Sequence, residues 1–158
     1  MKPIILSCLL FLATAVPACA ADNSLTPLVG NWKGSYVCPQ GHTGLTLTID
    51  RQSGRKFSGT FHFYPLPDNI LVPDGCFTIS GHFISERKVV IAGAAWIKRP
   101  EGYVTVDLDG KIGASGAGLT GVVRMPPQYV NLCTTFELTK ETDKPIVAPS
   151  CRQDSASR

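Results

Sequence analysis

Residues 45–50 read LTLTID and residues 57–64 read FSGTFHFY, so apolar residues or glycine occupy every second position in both stretches. Successive side chains of a β-strand point to opposite faces, so a period of two predicts strands with one buried face. Phe57, Phe61 and Phe63 mark the buried face of the second stretch, and polar residues fill most of the other. The fold is therefore expected to be built from amphipathic strands.

The same pattern continues along the chain in eight short runs. They cover residues 32–38, 45–49, 57–63, 77–83, 89–97, 104–108, 119–123 and 134–138. The fifth run is apolar on both faces, and the sixth is expected to stop at an Asp109-Gly110 turn. The mature chain lacks the apolar spacing of a helix, and parallel strands would need long crossovers, so the strands are expected to be antiparallel.

An antiparallel meander of eight strands loses its exposed edges when it closes on itself. We therefore predict a single all-β domain, an eight-stranded antiparallel up-and-down barrel, with a β-sandwich as the alternative. Glycines on the predicted inward faces fit sharply coiled barrel strands or close packing of two sheets. These glycines are Gly34, Gly59, Gly81, Gly93 and Gly121.

The composition excludes several classes of protein. The chain has 158 residues, of which 44% are hydrophobic and 17% charged, and this suits one domain with a packed core. A disordered chain, a collagen repeat and a coiled coil are excluded. The net charge of +3 is small and scattered, so no nucleic-acid partner is expected.

The N-terminus has the pattern of a bacterial export signal. Lys2 precedes an apolar run over residues 4–12, and Ala18-Cys19-Ala20 provides the small residues at which a signal peptidase cleaves. We predict a signal peptide at 1–20, a lead-in at 21–29, the barrel at 30–140 and a tail at 141–158. The predicted location is periplasmic or secreted, without a transmembrane segment. In a minor alternative, Cys19 is lipidated and the protein is a lipoprotein.

Four cysteines remain after cleavage, and an even number in an oxidising compartment predicts two disulfides. Three connectivities are possible. In a closed meander the first and last strands are neighbours, so Cys38 is expected to pair with Cys133. Cys76 would then pair with Cys151 and tether the tail. No Cys-x-x-Cys occurs, so a thioredoxin-type redox site or a zinc ribbon is not expected.

Residues 30–32, Gly-Asn-Trp, open the first strand of the predicted meander. They resemble the Gly-x-Trp motif that closes the base of lipocalin- and avidin-type barrels, which implies that architecture. The biotin-contacting pattern of avidins is not recognisable, so the resemblance implies no ligand residue.

A second resemblance covers the chain from Trp32 to Leu138. Its strings are TGLTL at 43–47, FYP at 63–65, WIKRPEGY at 96–103 and CTTF at 133–136. They are similar to an uncharacterised extracytoplasmic β-domain of Gram-negative bacteria that is sometimes linked to caspase-like domains. The resemblance implies a compartment and a fold, and it implies no activity.

Structural roles explain the candidate catalytic and metal-binding residues better than chemistry does. His42, His62 and His82 are twenty residues apart, which is compatible with a three-histidine metal site. However, pairing of the third and fourth strands would put His62 near Thr78, with the rings of His62 and His82 about 10 Å apart. Surface histidines are the preferred interpretation, and we expect no metal and no cofactor.

Nucleophiles and acid–base pairs are equally unsupported. Residues 113–117, GASGA, do not form a Gly-x-Ser-x-Gly motif, and Cys76, the cysteine near His82, is expected to be oxidised. Asp107 and Asp109 share one strand face and have no partner carboxylate on a second strand. Phosphate-binding glycine motifs are absent from the sequence. We therefore predict no catalytic residue and a protein that is not an enzyme.

Two loops carry the candidate binding residues. Trp96, Lys98, Arg99 and Tyr103 surround Pro100, and aromatic residues with arginine are typical of protein interfaces or glycan sites. In the alternative interpretation Trp96 only caps the barrel. Tyr64 and Leu66 belong to a second loop, over residues 64–73, that is rich in proline and apolar residues and could serve as a docking edge or lid.

These observations predict an exported, non-catalytic binding protein of the cell envelope. Its expected partner is a cell-envelope or secreted protein, and one version is an inhibitor or immunity protein of a secreted hydrolase. A glycan is a possible target, and the main alternative is a lipocalin-like carrier that holds a small apolar ligand inside the barrel. A hydrolase that uses His62 or His82 and a purely structural envelope protein are less favoured.

Overall fold

The computed structural model describes residues 25–152, and these form a closed barrel of eight antiparallel strands. The strands are β1 (Gly30–Cys38), β2 (Gly41–Ser53), β3 (Lys56–Tyr64), β4 (Gly75–Phe83), β5 (Lys88–Lys98), β6 (Asp107–Ile112), β7 (Gly118–Arg124) and β8 (Thr135–Thr142). The predicted barrel is confirmed, and the sandwich is not the fold that forms. The predicted signal peptide and the alternative lipidation of Cys19 lie outside the described residues.

Each strand pairs with the next in sequence, and β8 returns to pair with β1. Alternate residues of each strand point inward, as the period of two requires. Three inward glycines allow a neighbouring backbone to come close, because carbonyl oxygens of Glu137, Thr48 and Asp109 occupy the places that a Cβ would take. These glycines are Gly34, Gly59 and Gly121. Tight coiling of the barrel therefore depends on the absence of a side chain there.

The sixth strand differs from its prediction. It runs over Asp107–Ile112, so Asp109 and Gly110 lie within the strand and the expected turn there is wrong. Gly110 faces the interior, where a Cβ would lie 2.9 Å from Leu119 Cδ1 and 3.1 Å from Val89 Cγ2. This glycine is needed for packing, and the chain turns instead over residues 113–117.

The fifth strand contains an irregularity, beyond which the opposite set of alternate residues faces the barrel interior. Ile79 pairs with Gly93, whereas Phe77 pairs with Trp96, so β5 has one residue more than β4 over this stretch. The hydroxyl of Thr78 accepts a hydrogen bond from the backbone N–H of Ala95 at 3.0 Å and so stabilises the irregular segment. As a result, Trp96 turns toward the core.

The two ends of the barrel differ. Connections at one end are short and cover residues 54–55, 84–87 and 113–117; we call this end the base. The other end, which we call the mouth, carries the connections 39–40, 65–74, 99–106 and 125–134. The long loops therefore all lie at the mouth.

The lead-in to β1 closes the base. Leu28 is buried under the barrel, its backbone N–H donates to Gln52 Oε1 at 2.7 Å, and its carbonyl accepts from Trp32 Nε1 at 2.8 Å. The ammonium group of Lys140 lies 5.5 Å from the centre of the fully buried Trp32 ring. Trp32 thus joins the lead-in, β1 and β8, and the interior above it is filled by aromatic and aliphatic side chains.

The chain after β8 crosses the outside of the barrel. Asn31 binds Ile146 with both polar groups of its side chain, since Nδ2 donates to the carbonyl at 2.9 Å and Oδ1 accepts from the N–H at 2.8 Å. The segment ends in a 3-10 turn, Pro149–Cys151, where Cys151 forms a disulfide with Cys76. The described part of the tail is therefore held at two points.

Both predicted disulfides are present, Cys38–Cys133 and Cys76–Cys151. The first joins the end of β1 to the residues just before β8. Two disulfides are compatible with an extracytoplasmic protein, because such bonds persist in oxidising compartments.

Candidate ligand-binding site at the barrel mouth

A cavity of about 370 Å³ opens at the mouth, above the filled part of the interior. Its volume lies toward the lower end of the range of roughly 300–1,000 Å³ that is typical of small-molecule sites. The cavity is lined by Tyr36, Cys38, Pro39, Gln40, Phe63, Phe77, Gly102, Tyr103, Val104, Val106, Met125 and Cys133. Strands supply its floor, and the mouth connections supply most of its rim.

Aromatic rings dominate the cavity walls. Tyr103 stacks on Phe63 with ring centroids 5.3 Å apart and an angle of 10° between the rings. Phe77 stacks below on Phe61, with centroids 4.6 Å apart. Aromatic side chains make these walls mostly apolar, and such walls pack well against a planar or aliphatic ligand.

Two phenol groups give the cavity its polar character. The hydroxyl of Tyr36 accepts a hydrogen bond from Gln40 Nε2 at 2.9 Å, which leaves its own proton free to be donated. Burial raises the pKa of Tyr36 above its ordinary value, and Tyr103 adds to this effect, while the hydrogen bond from Gln40 opposes it. Burial also raises the pKa of Tyr103. Both groups are therefore neutral hydrogen-bonding groups at physiological pH.

Of the described residues that line the cavity, none is charged. An ionised ligand buried there would lose hydration without gaining a partner of opposite charge, which is unfavourable. The cavity therefore suits an uncharged molecule that is mostly apolar and can accept or donate a hydrogen bond.

A tight turn positions Tyr103 over the cavity. The N–H of Tyr103 donates to the carbonyl of Pro100 at 3.3 Å, and Gly102 occupies the left-handed region at φ 77° that the turn requires. Arg99 fixes the turn from outside, since its Nε donates to the carbonyl of Tyr103 at 3.0 Å. The guanidinium of Arg99 also lies 5.8 Å from the centre of the Trp96 ring.

The structure brings together three of the predicted binding residues. Tyr103 lines the cavity, whereas Trp96 packs behind it, with its ring centroid 5.1 Å from Phe77 and 6.3 Å from Phe63. Trp96 thus matches the alternative interpretation, in which it caps the barrel core. Arg99 supports both residues from the outside.

The other three predicted binding residues lie away from the cavity. Lys98 is on the outer face, where its Nζ is 3.4 Å from Asp74 Oδ1. Tyr64 also points outward, and its ring covers Gly44 of the neighbouring strand. Leu66 forms an isolated bridge with Asn69 within the loop between β3 and β4. These residues do not form one site with Tyr103.

Sequence reasoning did not identify Tyr36, Gln40, Val104 and Met125 as site residues. Tyr36 fitted the inward pattern of β1, but its position near the open end could not be known before the mouth was located. Gln40 lies in a two-residue connection with no motif of its own. Met125 reaches the cavity from the loop after β7.

Two of the three histidines lie beside separate carboxylates. His42 Nδ1 lies 2.7 Å from Asp68 Oδ2, and His62 Nε2 lies 3.2 Å from Asp74 Oδ2. The expected pairing of His62 with Thr78 is wrong, because His62 lies opposite Cys76. The observed β3–β4 register thus differs from the expected one by two residues. His82 is six residues farther along β4, so the separation along the strand is about 20 Å.

The carboxylates considered as an acid–base pair have structural partners. Asp107 Oδ1 accepts a hydrogen bond from the N–H of Gly93 at 2.9 Å, and Asp109 pairs with Arg124. Within residues 25–152, no group of three or more His, Cys, Asp or Glu side chains could hold a metal ion.

Comparisons with known proteins add no assignment: no family model matches the chain, and no curated protein matches it. Among residues 25–152, no helix is long and apolar enough to cross a membrane.

Proposed function

We propose that this chain is a non-catalytic binding protein that holds a small, mostly apolar ligand in the mouth cavity. The observation that carries the proposal is the cavity itself, which has stacked aromatic walls and no charge among its described lining residues. This favours the carrier alternative over a protein partner bound through Trp96, because that side chain packs against Phe77 and Phe63.

The chemistry of the walls defines the ligand class. The stacked pair of Phe63 and Tyr103 gives the cavity an aromatic wall that can contact an aromatic or alicyclic ring, and the neutral hydroxyls of Tyr36 and Tyr103 can bond to a carbonyl, ether or hydroxyl group. A compact neutral molecule with one polar end fits this arrangement. Free fatty acids and other ionised amphiphiles fit less well, because their charged group would have no counter-charge in the cavity.

We further propose that the protein works in the periplasm or outside the cell. Support comes from the export-signal pattern of residues 1–20 and from the two disulfides.

A neutral fluorescent probe, N-phenyl-1-naphthylamine, tests the proposal. The mature protein should increase the fluorescence of the probe with a saturable curve and one binding site. The Val104→Phe variant places a larger side chain in the cavity and should weaken binding about tenfold or more. Val122→Phe is the matched control, because Val122 lies on the outer face of β7 and is partly exposed, and binding should be unchanged.

Native mass spectrometry of protein purified from its own export compartment provides a second readout. Additional mass that is lost on denaturation would reveal a bound ligand. The proposal is overturned if the probe does not bind and the mass is that of the bare chain, or if both valine variants bind as wild type does.

A further inference from the structure

Two loops at the mouth expose aliphatic side chains to solvent. Between β3 and β4, Ile70 is 74% and Leu71 89% exposed; between β7 and β8, Val130 is 77% and Leu132 62% exposed. The two connections are four strands apart in a barrel of eight, so they lie on opposite sides of the mouth. We call these side chains the mouth tips.

The mouth tips belong to loops that are anchored at both ends. Asn69 Nδ2 donates to the carbonyls of Gln40 and His42 at 2.7 and 2.9 Å, and Val72 is buried in the core. In the second loop, the N–H of Met125 donates to Asn131 Oδ1 at 3.2 Å, and Cys133 is held by its disulfide. The tips are thus presented to solvent by a defined local structure.

Neither tip segment contains a charged residue. Residues 69–73 read NILVP and residues 125–134 read MPPQYVNLCT. The two carboxylates that flank the first segment within its loop have partners of their own: Asp68 lies 2.7 Å from His42 Nδ1, and Asp74 lies 3.4 Å from Lys98 Nζ. Both segments can therefore leave water without a large cost for burying an unpaired charge.

We propose that the mouth end docks on a lipid bilayer, with the mouth tips inserted into the interfacial region. Transfer of aliphatic side chains from water to the acyl boundary is favourable. Tyr129, which is half-exposed, has an amphipathic ring of the kind that is enriched at the headgroup level.

A bilayer fits the tips better than a folded protein does. The tips are separated by an open cavity, so a protein partner would need two separate apolar recesses at the correct distance. A bilayer is fluid and accepts separate insertions. It would also bring its apolar phase to the entrance of the cavity. This inference goes beyond the proposed function, because docking does not require a ligand in the cavity.

Flotation with phosphatidylcholine vesicles tests the inference on the mature protein. Wild-type protein should float with the vesicles at both low and high salt, because apolar insertion is not screened by ions. The double variant Leu71→Glu/Val130→Glu should reduce the bound fraction at least about tenfold. Ile84→Glu is the matched control, because Ile84 is 56% exposed at the base, and its binding should equal that of wild type.

The thermal unfolding midpoint of each variant with an exposed substitution should equal that of wild type. This control would show that the barrel is intact. Val104→Phe should float as wild type does, so loss of probe binding and loss of docking are separate results. Docking is overturned if wild type stays in the lower fraction, if the double variant floats unchanged, or if Ile84→Glu is equally impaired. A defined protein partner that needs the mouth tips, without vesicle binding, would also overturn it.

Discussion

Tyr103 and Phe63 lie forty positions apart in the chain, and their rings stack at 5.3 Å across the mouth of the barrel. One ring comes from a strand and the other from a loop. This contact therefore couples the position of the 99–106 connection to the rigid sheet and sets the shape of the candidate site.

Replacing Tyr103 tests this contact directly. Tyr103→Ala removes the upper wall of the cavity, and we expect about a tenfold loss in affinity for N-phenyl-1-naphthylamine. Tyr103→Phe keeps the ring and should bind this probe nearly as well as wild type, because the probe has little need of the hydroxyl. Fluorescence titration distinguishes the two variants. Equal weakening by both would show that the hydroxyl, and not the stacked ring, determines binding.

Trp32 is expected to dominate the stability of the base. Trp32→Ala should lower the free energy of unfolding by about 3–5 kcal/mol, since a large buried ring is lost and the carbonyl of Leu28 loses its donor. Urea denaturation measures the change. Ile84→Ala, at an exposed position of the same end, should change it by less than about 0.5 kcal/mol. A small effect of Trp32→Ala would mean that the base is held by other contacts.

The second disulfide is expected to control the tail more than the barrel. In a Cys76→Ala/Cys151→Ala variant, residues 147–152 should become sensitive to limited proteolysis, while the circular dichroism spectrum of the sheet is retained. Asn31 still holds Ile146, so cleavage should begin beyond that residue. Unfolding of the whole barrel in this variant would show that the tail is part of the folding core.

The lowered pKa of Asp74 predicts that the stability of the protein depends on pH. Burial disfavours its charged form, but the hydrogen bond and positive charge of His62, together with Lys98, outweigh burial and hold the pKa of Asp74 below its ordinary value. Its contribution to stability is therefore present above the unfolded pKa of about 3.9, and it is lost as the pH falls through the lower folded value. The side chain of Asp74 is 35% exposed, so screening by solvent should keep the contribution below about 1 kcal/mol.

Urea denaturation of Asp74→Asn checks this effect. The variant should be less stable than wild type at pH values above the unfolded pKa of about 4, and the difference should shrink as Asp74 becomes protonated in wild type. Glu86→Gln, at an exposed base position, is the control and should show no such trend. A difference that stays constant with pH would mean that the amide disturbs packing and that charge is not the cause.

The sequence allowed the barrel and both disulfides to be predicted for a physical reason. Alternating patterns such as residues 45–50 are local, and closure of eight antiparallel strands brings β1 beside β8 without further information. Once this neighbourhood is known, Cys38 and Cys133 can be paired, and Cys76 and Cys151 remain for each other.

Features that depend on small shifts were less predictable. The extra residue in β5 turns Trp96 inward, and the packing need at Gly110 moves the expected turn by several residues. The β3–β4 register changes the partner of His62. Each is a difference of a few residues that tertiary packing decides, and hydropathy alone does not report it.

The candidate site was the hardest part to predict. Tyr103 was identified because aromatic and cationic residues cluster around it in sequence. Tyr36 and Gln40 belong to the site only because the lead-in closes one end of the barrel and leaves theirs open. That asymmetry comes from long-range packing around Trp32.

The grouping of the long connections at the mouth, away from the base that Trp32 closes, makes the protein a natural scaffold. Insertions and substitutions in the four mouth connections can reshape the candidate site, while the buried base and the inward glycines preserve the shape of the sheet. Evolution, or an engineer exchanging loops, can therefore vary one end of the barrel without having to design the fold anew.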